Sequence, residues 1–441
     1  MSDFLFARSQ MGMSLGFHII FAAIGIALPV LMAIAEGIYL RNGRPLFLEL
    51  AKRWARGAAI LFAVGAVSGT VLSFELGLLW PGFMERAGAI IGMPFSLEGF
   101  AFFTEAIFLG LYLAGWNRLS PFVHWLCGVL VALSGILSGI FVVTANAWMN
   151  SPAGFKIVDG QVTDVDPIAA MLNPASLHEV LHMTLAAFVA TGFAVAAIHG
   201  FFVLRDRGNQ FHRAALGIAL WLACVSAPLQ IISGDFSARS VAKLQPAKLA
   251  AMEAHYRTQI GAPLRFGGLP NDEARTNDYS LNIPRGLSLL STHDPNSEVV
   301  GLEEFPRADW PNVRAVHWAF DIMVGSGTAL LGLSLAAGWL AWRHRRVPDG
   351  KWFLRAVVAA GPLGFLAIEA GWTVTELGRQ PWIIYGVMRT QEAVTPMGNI
   401  AIPFVVFTLL YVFLSVIVFY LLRRQFMKTE TPAAESLTSD A

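Results

Sequence analysis

Nine long apolar segments constrain this chain more than any other feature of its sequence. A helix needs about 20 apolar residues to cross the hydrocarbon core of a bilayer. The segments cover residues 14–36, 56–75, 97–115, 122–144, 179–204, 214–233, 317–342, 353–375 and 400–422. Only 14% of the 441 residues are charged, against about 25% in soluble domains. The sequence therefore predicts an all-α membrane protein with nine transmembrane helices.

Basic residues cluster in alternate connections, which predicts how the chain is oriented in the membrane. The clusters follow the first, fifth, seventh and ninth segments and contain Arg41, Arg44, Lys52, Arg53, Arg205, Arg207, Arg213, Arg343, Arg345, Arg346, Lys351, Arg423 and Arg424. Cytoplasmic loops are enriched in Lys and Arg. We therefore expect a periplasmic N-terminus and a cytoplasmic C-terminus. The formal net charge of +1 provides no overall attraction to nucleic acid.

The connections divide the chain into four parts. These are six transmembrane segments in 1–233, a long periplasmic loop in 234–316, three transmembrane segments in 317–422 and a polar tail in 423–441. A loop of this length is usually functional, and it holds one stretch of helical pattern, "QPAKLAAMEAHYRT", beginning at Gln245. The composition of the tail predicts disorder. Cys127 and Cys224 lie within apolar segments, which favours packing roles over a disulfide.

Side chains of the types that bind iron occur near the predicted outer ends of several helices. They are His18, His178, His182, His317, Met323 and Glu376. Imidazole and thioether are common axial ligands of haem iron, and a His/Met pair suits electron transfer. Each residue taken alone is more simply explained as a polar group at a membrane interface. Together they favour haem, although ligand type alone leaves zinc or copper open.

Two carboxylates lie seven residues apart in the third segment. Glu98 and Glu105 therefore share one face of a helix, with Glu98 near the predicted outer rim and Glu105 about 10 Å deeper. Ionisable residues inside a membrane helix commonly mark ion or proton pathways. The alternative is a pair of groups that hydrogen-bond between helices. We expect a proton path along this face.

Several blocks of the sequence resemble subunit I of the cytochrome bd-type quinol oxidases. They are "RSQMGMSLGFH", "PFSLEGFAFFTEAIF", "NAWMNSPAGF", "LQPAKLAAMEA", "FDIMVG" and "EAGWTVTELGRQPWIIYG". The resemblance extends from about Phe4 to Tyr420, and G-R-Q-P-W after a glutamate is its most specific element. The 234–316 segment is similar to the shorter form of the family's quinol-binding loop. "FELGLLW" is closer to the cyanide-insensitive branch.

The resemblance implies which residues bind haem. His182 and Met323 match the axial ligands of a low-spin haem b. His18 and Glu376 match the ligands of a high-spin haem b and a haem d, or a further haem b in its place, and either order is compatible with the sequence. Asp321 stands where the family commonly has a basic or neutral residue. An acid there would lower the potential of the nearby haem or need an additional cationic partner.

The resemblance also implies the remaining site residues. These are Arg8 and Arg379 as propionate partners, Trp372 as an aromatic between haems, Lys248 and Glu253 as the charged pair of the quinol loop, and Glu98 and Glu105 as proton-conducting carboxylates.

The activity implied is that of a terminal oxidase in the bacterial inner membrane. Quinol, expected to be ubiquinol, would be oxidised at the periplasmic side, and dioxygen would be reduced to water with cytoplasmic protons. A proton motive force would result without pumping. The partner would be subunit II in a heterodimer, with or without a small single-helix accessory subunit. Two alternatives are a haem-free proton- or ion-coupled transporter and a haem-anchoring subunit that relays electrons without binding oxygen.

Overall fold

Helices make up most of the chain in the computed structural model, which describes residues 2–427. In chain order they are α1 (Asp3–Asn42), α2 (Pro45–Leu79), α3 (Pro81–Ala114), α4 (Pro121–Asn150), α5 (Pro167–Met171), α6 (Ser176–Arg205), α7 (Gln210–Leu244), α8 (Pro246–Met252), α9 (Gly286–Thr292), α10 (Val313–His344), α11 (Lys351–Ala360), α12 (Leu363–Arg379), α13 (Thr390–Ala393) and α14 (Ala401–Met427). Most of the tail predicted to be disordered, from residue 428 onward, lies outside the described residues.

The strands are short and pair only in antiparallel twos within the described residues. They are β1 (Lys156–Val158), β2 (Gln161–Thr163), β3 (Gln259–Ile260), β4 (Leu264–Phe266), β5 (Leu269–Asn271), β6 (Thr276–Asp278), β7 (Leu281–Ile283), β8 (Glu298–Val299), β9 (Trp382–Ile384) and β10 (Met388–Arg389). The pairs are β1 with β2, β3 with β8, β4 with β7, β5 with β6, and β9 with β10. All of them lie in connections between the spanning helices.

The prediction of nine transmembrane helices is confirmed, since residues 2–427 contain nine helical spans long and apolar enough to cross a membrane. They are α1, α2, α3, α4, α6, α7, α10, α11 with α12, and α14. The helices are longer than the apolar segments because hydropathy detects only their lipid-exposed centres. Pro45, Pro81 and Pro121 each occupy the first turn of a helix, where the missing N–H has no intrahelical partner to lose.

The eighth span is not the single helix that the sequence predicted. It breaks at residues 361–362 between α11 and α12. Pro362 cannot donate a backbone hydrogen bond and so ends the regular helix. A Cβ atom on Gly361 would lie 2.7 Å from Ala197 Cβ of α6. The glycine therefore lets the broken helix pass close to α6.

The long loop also differs from its predicted bounds. Helix α7 continues to Leu244, so the first part of the 234–316 segment is helical and continuous with the membrane span. The helix predicted at "QPAKLAAMEAHYRT" is α8, which has seven residues and ends at Met252. Residues 245–312, which we call the cap, fold around a small apolar core of Leu249, Ala262, Leu287 and Val299. The segment is thus a folded unit rather than an irregular loop.

The basic clusters meet at one end of the bundle, which we call the basic end. There Arg213 forms an ion pair with Asp349 at 2.9 Å, which joins the α6–α7 and α10–α11 connections. The Arg53 guanidinium lies 4.6 Å from the centre of the Phe211 ring, which joins the start of α2 to the start of α7. The cap lies at the opposite end, the loop end. That the basic end faces the cytoplasm stays a prediction.

Close helix packing depends on glycine at the crossing of α6 and α12. A Cβ on Gly364 would lie 2.8 Å from Ala190 Cβ and 3.1 Å from Ala190 N. We expect Gly364→Ala to lower the thermal unfolding midpoint of the protein in detergent, since overpacking costs about 1–3 kcal/mol. Gly332 on α10 has no atom within 4 Å of its Cβ position, so Gly332→Ala is the control. Equal midpoints for the two variants would contradict the tight crossing.

Candidate functional site

A buried polar network joins the cap to the membrane helices at the loop end. Lys248 of α8 is 4% exposed, and its Nζ donates a hydrogen bond to Asn150 Oδ1 of α4 at 2.8 Å. Asn150 Nδ2 donates to Glu179 Oε1 of α6 at 2.9 Å. Gln245 Nε2 donates to the Asn150 carbonyl at 2.6 Å. Asn150 therefore connects a lysine of the cap with a carboxylate of the membrane bundle.

The same network reaches the G-R-Q-P-W block. Asn150 Nδ2 lies 3.3 Å from Asn146 Oδ1, one helical turn earlier on α4. Asn146 Nδ2 donates to Glu376 Oε1 at 2.6 Å, and Arg379 Nη2 donates to Glu376 Oε2. A Cβ on Gly378 would lie 2.7 Å from Lys248 Cγ. Glycine at this position therefore lets the lysine run alongside α12.

The charges of this network are held away from water. Burial lowers the pKa of Lys248 from its ordinary value, against the opposing effect of the nearby Glu179 carboxylate. Arg379 is 1% exposed, and its Nη1 has no hydrogen-bond partner. An unsatisfied buried donor costs about 1–3 kcal/mol. A carboxylate such as a haem propionate would satisfy it, so the donor fits the group that the sequence comparison implied.

His18 is oriented by a hydroxyl of the neighbouring helix. Its Nδ1 lies 2.9 Å from Ser68 Oγ, and the Ser68 hydroxyl donates to the Val64 carbonyl at 3.0 Å. Ser68 Oγ must therefore accept the hydrogen bond from His18 Nδ1–H. The other ring nitrogen, Nε2, then carries the free lone pair that a metal ligand requires.

His182 is held in the same way. Its Nδ1 lies 3.0 Å from Ser233 Oγ, and that hydroxyl donates to the Gln230 carbonyl at 2.9 Å. The Nε2 lone pair faces the Gln230 amide nitrogen at 3.1 Å, while Gln230 Oε1 is buried without a partner. The side-chain amide of Gln230 therefore lacks a hydrogen bond to its oxygen in this position. Nε2 is thus the acceptor of the ring, and a ligand bond at this atom requires the Gln230 amide to turn away.

Met323 lies between α10 and α12, where a Cβ on Gly371 would be 2.8 Å from its Sδ. Glycine thus makes room for the thioether. Trp372, which follows Gly371 on α12, packs against α1 at Gly12. The Cβ position of Gly12 is 4.0 Å from the Trp372 indole. Met323 is also next to the apolar cluster under the cap, with Phe320 and Val374.

Two predicted ligand-type histidines have different surroundings. The ring nitrogens of His317 lie 2.7 Å from the Met252 carbonyl and 2.8 Å from the Gly267 carbonyl, so this residue anchors the cap to α10. Asp321 accepts the Gly267 N–H at 2.7 Å and lies 3.4 Å from His317 Nε2. His317 is thus a side chain that lies against Asp321. His178 Nδ1 is buried without a partner.

Lys248 and Glu253, the charged pair that the resemblance assigned to the quinol loop, both lie in the cap. Glu253 is 0% exposed and accepts the Arg265 N–H at 3.0 Å, within the cap. Burial raises the pKa of Glu253 to about 8, and the Asp321 carboxylate adds to this while Arg265 opposes it. The two side chains have separate partners because Glu253 lies beyond the last residue of α8. Arg8 is also apart from the network, with its guanidinium 5.5 Å from the Phe4 ring centre.

Glu98 and Glu105 both face α4, as their spacing predicted. Ser138 Oγ donates to Glu98 Oε1 at 3.3 Å, and the Cβ position of Gly135 is 3.5 Å from Glu105 Oε1. The depth of Glu98 in the membrane stays a prediction. Helix α3 begins at Pro81, so Glu98 lies roughly 25 Å of helix rise from the start of α3 at the loop end.

Sequence reasoning missed the polar residues that position the ligand-type side chains. They are Ser68, Asn146, Asn150, Glu179, Gln230 and Ser233. The spacing of Asn146 and Asn150, four residues apart at the end of an apolar segment, could have indicated that both lie on one face of a helix. Within residues 2–427, no three His, Cys, Asp or Glu side chains are grouped closely enough to hold a metal ion.

The whole chain is similar to known bd oxidases. The profile of a family described as cytochrome bd terminal oxidase subunit I matches residues 6–430. A Bacillus subtilis (strain 168) protein provisionally named a cytochrome bd menaquinol oxidase subunit I is 37% identical over 434 residues, 97% of each chain. A second protein of that strain, named cytochrome bd ubiquinol oxidase subunit 1, is 31% identical over 443 residues, 97% of this chain and 94% of the relative.

A solved structure agrees with these relatives. The bd oxidase from Geobacillus thermodenitrificans matches with a TM-score of 0.91 and 38% identity, covering 97% of this chain and 99% of that chain. These likenesses favour an oxidase over a haem-free transporter. Because the two Bacillus relatives are named for different quinols, ubiquinol as the substrate stays a prediction.

The raised pKa of Glu253, about 8, predicts a pH-dependent cap. The folded cap retains a proton that the unfolded chain releases near the ordinary carboxyl pKa of 4.5. The resulting stability is complete below that value and is lost as pH rises through about 8. We expect the thermal unfolding midpoint in detergent to fall between about pH 6 and pH 9, and to fall less in Glu253→Gln. The exposed Glu273→Gln should behave as wild type. An identical pH profile for Glu253→Gln would rule out this contribution.

Proposed function

The chain belongs to the cytochrome bd terminal oxidase subunit I family, and from that premise we propose how its residues divide the work of quinol oxidation and oxygen reduction. The protein is a multi-pass membrane subunit of a quinol:oxygen oxidoreductase. Quinol is oxidised at the loop end, which faces the periplasm. Dioxygen is reduced to water within the bundle, with protons drawn from the basic end in the cytoplasm.

One observation carries this proposal. A continuous set of hydrogen bonds runs from Lys248 in the cap through Asn150 and Asn146 to Glu376 and Arg379. The residue matched to quinol binding and the residue matched to iron ligation therefore belong to one buried network. Such a network holds the quinol-binding surface and the oxygen site at a constant separation, which electron transfer between them requires.

Quinol oxidation releases protons as well as electrons. Lys248 donates a hydrogen bond to Asn150 and keeps further ammonium donors for a quinol oxygen. Glu179, also bound to Asn150, is a nearby buried carboxylate that can take a proton from the substrate. Glu253, assigned with Lys248 to quinol oxidation, accepts the Arg265 N–H within the cap. Protons released at this end leave to the periplasm.

The haem groups implied by the family supply, when bound, the one-electron carriers and the oxygen-binding iron. We assign His182 and Met323 to a low-spin haem b. His18 and Glu376 are assigned to the two haems of the oxygen site, a high-spin haem b and a haem d or a further haem b. Ser68 and Ser233 hold the two imidazoles in the tautomer in which Nε2 carries no hydrogen and can accept.

Three other residues serve these groups. Arg379 has a buried unpartnered donor suited to a propionate. Arg8 is assigned to a second propionate. Trp372 packs against α1 near Gly12 and is assigned to the space between the haems.

Protons for water formation come from the opposite side. Glu105 and Glu98 lie between α3 and α4, with Glu105 nearer the basic end. They carry protons from the basic end to the oxygen site, while quinol oxidation releases protons at the loop end. This opposite-side chemistry generates a proton motive force without a pumping step. Subunit II completes the enzyme as a heterodimer in the bacterial inner membrane, with or without a small accessory helix.

The low-spin assignment predicts a spectroscopic loss. His182→Ala and Met323→Leu should each abolish the low-spin haem b signal in the reduced-minus-oxidised spectrum of the purified complex, because each removes one axial ligand. Met183→Leu, beside His182 but packed in an apolar cluster, should retain the signal. A low-spin band of wild-type size in both ligand variants would remove the assignment.

The place of Lys248 predicts a change in quinol affinity. Lys248→Met should raise the KM for quinol roughly tenfold in oxygen-consumption assays, since a charge-assisted hydrogen bond contributes about 1.5–3 kcal/mol. The exposed Lys243, at the end of α7, supplies the control Lys243→Met. An unchanged KM in Lys248→Met would show that quinol binds elsewhere.

A further inference from the structure

A second buried acid lies at the basic end of the bundle, away from the haem-ligand residues. Glu36 of α1 is 2% exposed and His124 of α4 is 3% exposed. Glu36 Oε1 lies 2.6 Å from His124 Nδ1. Both residues are within two turns of the helix ends at the basic end. A buried ion pair is weak evidence for stability alone, so a functional role has to be considered.

The hydrogen bonds around His124 show how many protons the pair holds. His124 Nε2 lies 2.8 Å from the Tyr112 carbonyl, which can only accept, so Nε2 carries a hydrogen. The bond between His124 Nδ1 and Glu36 Oε1 then contains one further proton, on either partner. The pair is therefore a site that stores one transferable proton. The second oxygen, Glu36 Oε2, is buried without a partner.

The pair adjoins the face of α3 that carries the carboxylates of the proton path. Tyr112 is seven residues after Glu105 on α3, as Glu105 is after Glu98, so all three occupy one face. The Tyr112 hydroxyl is buried beside the Glu36 carboxylate without forming a hydrogen bond of normal geometry. The centre of its ring lies 4.4 Å from that of the His124 ring, with the two planes tilted by 36°. Unsatisfied polar atoms thus follow one another from Glu36 toward Glu105.

Small residues on α4 let the side chains on this face of α3 pack close to the α4 backbone. The Cβ position of Gly128 is 2.7 Å from the Tyr112 ring, and that of Gly135 is 3.5 Å from Glu105 Oε1. Ser138 follows and donates to Glu98. His124, Gly128, Gly135 and Ser138 recur at helical spacing, so they form one stripe on α4 facing the acidic face of α3.

We propose that Glu36 and His124, with Tyr112, form the entrance of the proton path that supplies Glu105 and Glu98 from the basic end. This inference rests on the proposed function, because it extends the path assigned there. A proton from the basic-end solution binds Glu36 Oε2, while the proton shared by Glu36 Oε1 and His124 Nδ1 stays in that bond. The Oε2 proton then passes to the Tyr112 hydroxyl oxygen, which releases its own proton onward. Water bridges the remaining distance to Glu105, since two helical turns rise about 10 Å.

Access from the basic end is controlled by an aromatic cover. The Trp116 ring centre lies 4.0 Å from that of His124, with the two planes tilted by 38°, and Lys52 Nζ of α2 lies 5.4 Å from the centre of the Trp116 ring. The turn between α3 and α4 places Gly115 against His124, with the glycine Cβ position 3.2 Å from Cδ2. A proton must pass this cover to reach the pair.

The test is proton uptake and turnover in the assembled oxidase. Glu36→Gln retains shape and a hydrogen bond to His124 but cannot exchange a proton. We expect oxygen consumption at saturating quinol, and proton uptake from the basic-end side of proteoliposomes, to slow roughly ten- to a hundredfold. Haem content per complex and the KM for quinol should equal those of wild type. Tyr112→Phe should slow both rates in the same direction.

A matched control lies at the same end of the bundle. His199 and His212 form another buried pair, with their Nδ1 atoms 2.9 Å apart, on α6 and α7. His199→Gln should leave turnover per haem and proton uptake unchanged. If Glu36→Gln does not assemble, Tyr112→Phe carries the test, because it removes only an unpartnered hydroxyl.

Wild-type proton uptake in Glu36→Gln would overturn the proposal. So would a variant with lowered haem content or thermal stability but normal turnover per haem, which would identify the pair as structural. A wild-type complex that consumes no oxygen with quinol would instead overturn the proposed function, and this inference with it.

Discussion

The constraint on which this structure depends is that lipid cannot satisfy polar groups. Backbone hydrogen bonds are therefore made within helices, and polar side chains inside the bundle must find partners on neighbouring helices. Asn150 is an example, since it joins α4 to Glu179 of α6 and to Lys248 of the cap. The polar residues of the site are thus also the contacts that hold the helices in register. Function and helix packing are inseparable at these positions.

The same constraint prepares the histidines for iron. His18 and His182 each bond through Nδ1 to a serine on the adjacent helix, and each serine is itself committed to a carbonyl one turn back. Because each serine hydroxyl already donates to that carbonyl, the serine oxygen accepts the hydrogen bond from the histidine Nδ1–H. Nε2 is left as the acceptor in both rings, which is the state that a metal ligand requires. A serine in a membrane helix here determines a tautomer rather than simply filling space.

The sequence predicted the number of spanning helices correctly but did not locate their ends. Hydropathy detected the apolar centre of α3 but missed its first half, which begins at Pro81. Lys248 and Glu253 were assigned together to the quinol loop through the family resemblance. Helix α8 ends between them, and one side chain enters the membrane bundle while the other enters the cap.

By itself, the sequence determined the class of the protein, its nine spans, its family and the identity of the candidate ligands, since these depend on composition, hydropathy and local motifs. Only the tertiary structure decided which polar residues meet. Asn146 and Glu376 are 230 residues apart in the chain and 2.6 Å apart between their bonded atoms. Glu36 and His124 are likewise brought together only by the packing of α1 against α4. The physical reason is that helical periodicity defines the face of one helix, whereas the partner of that face is chosen by packing between helices distant in sequence.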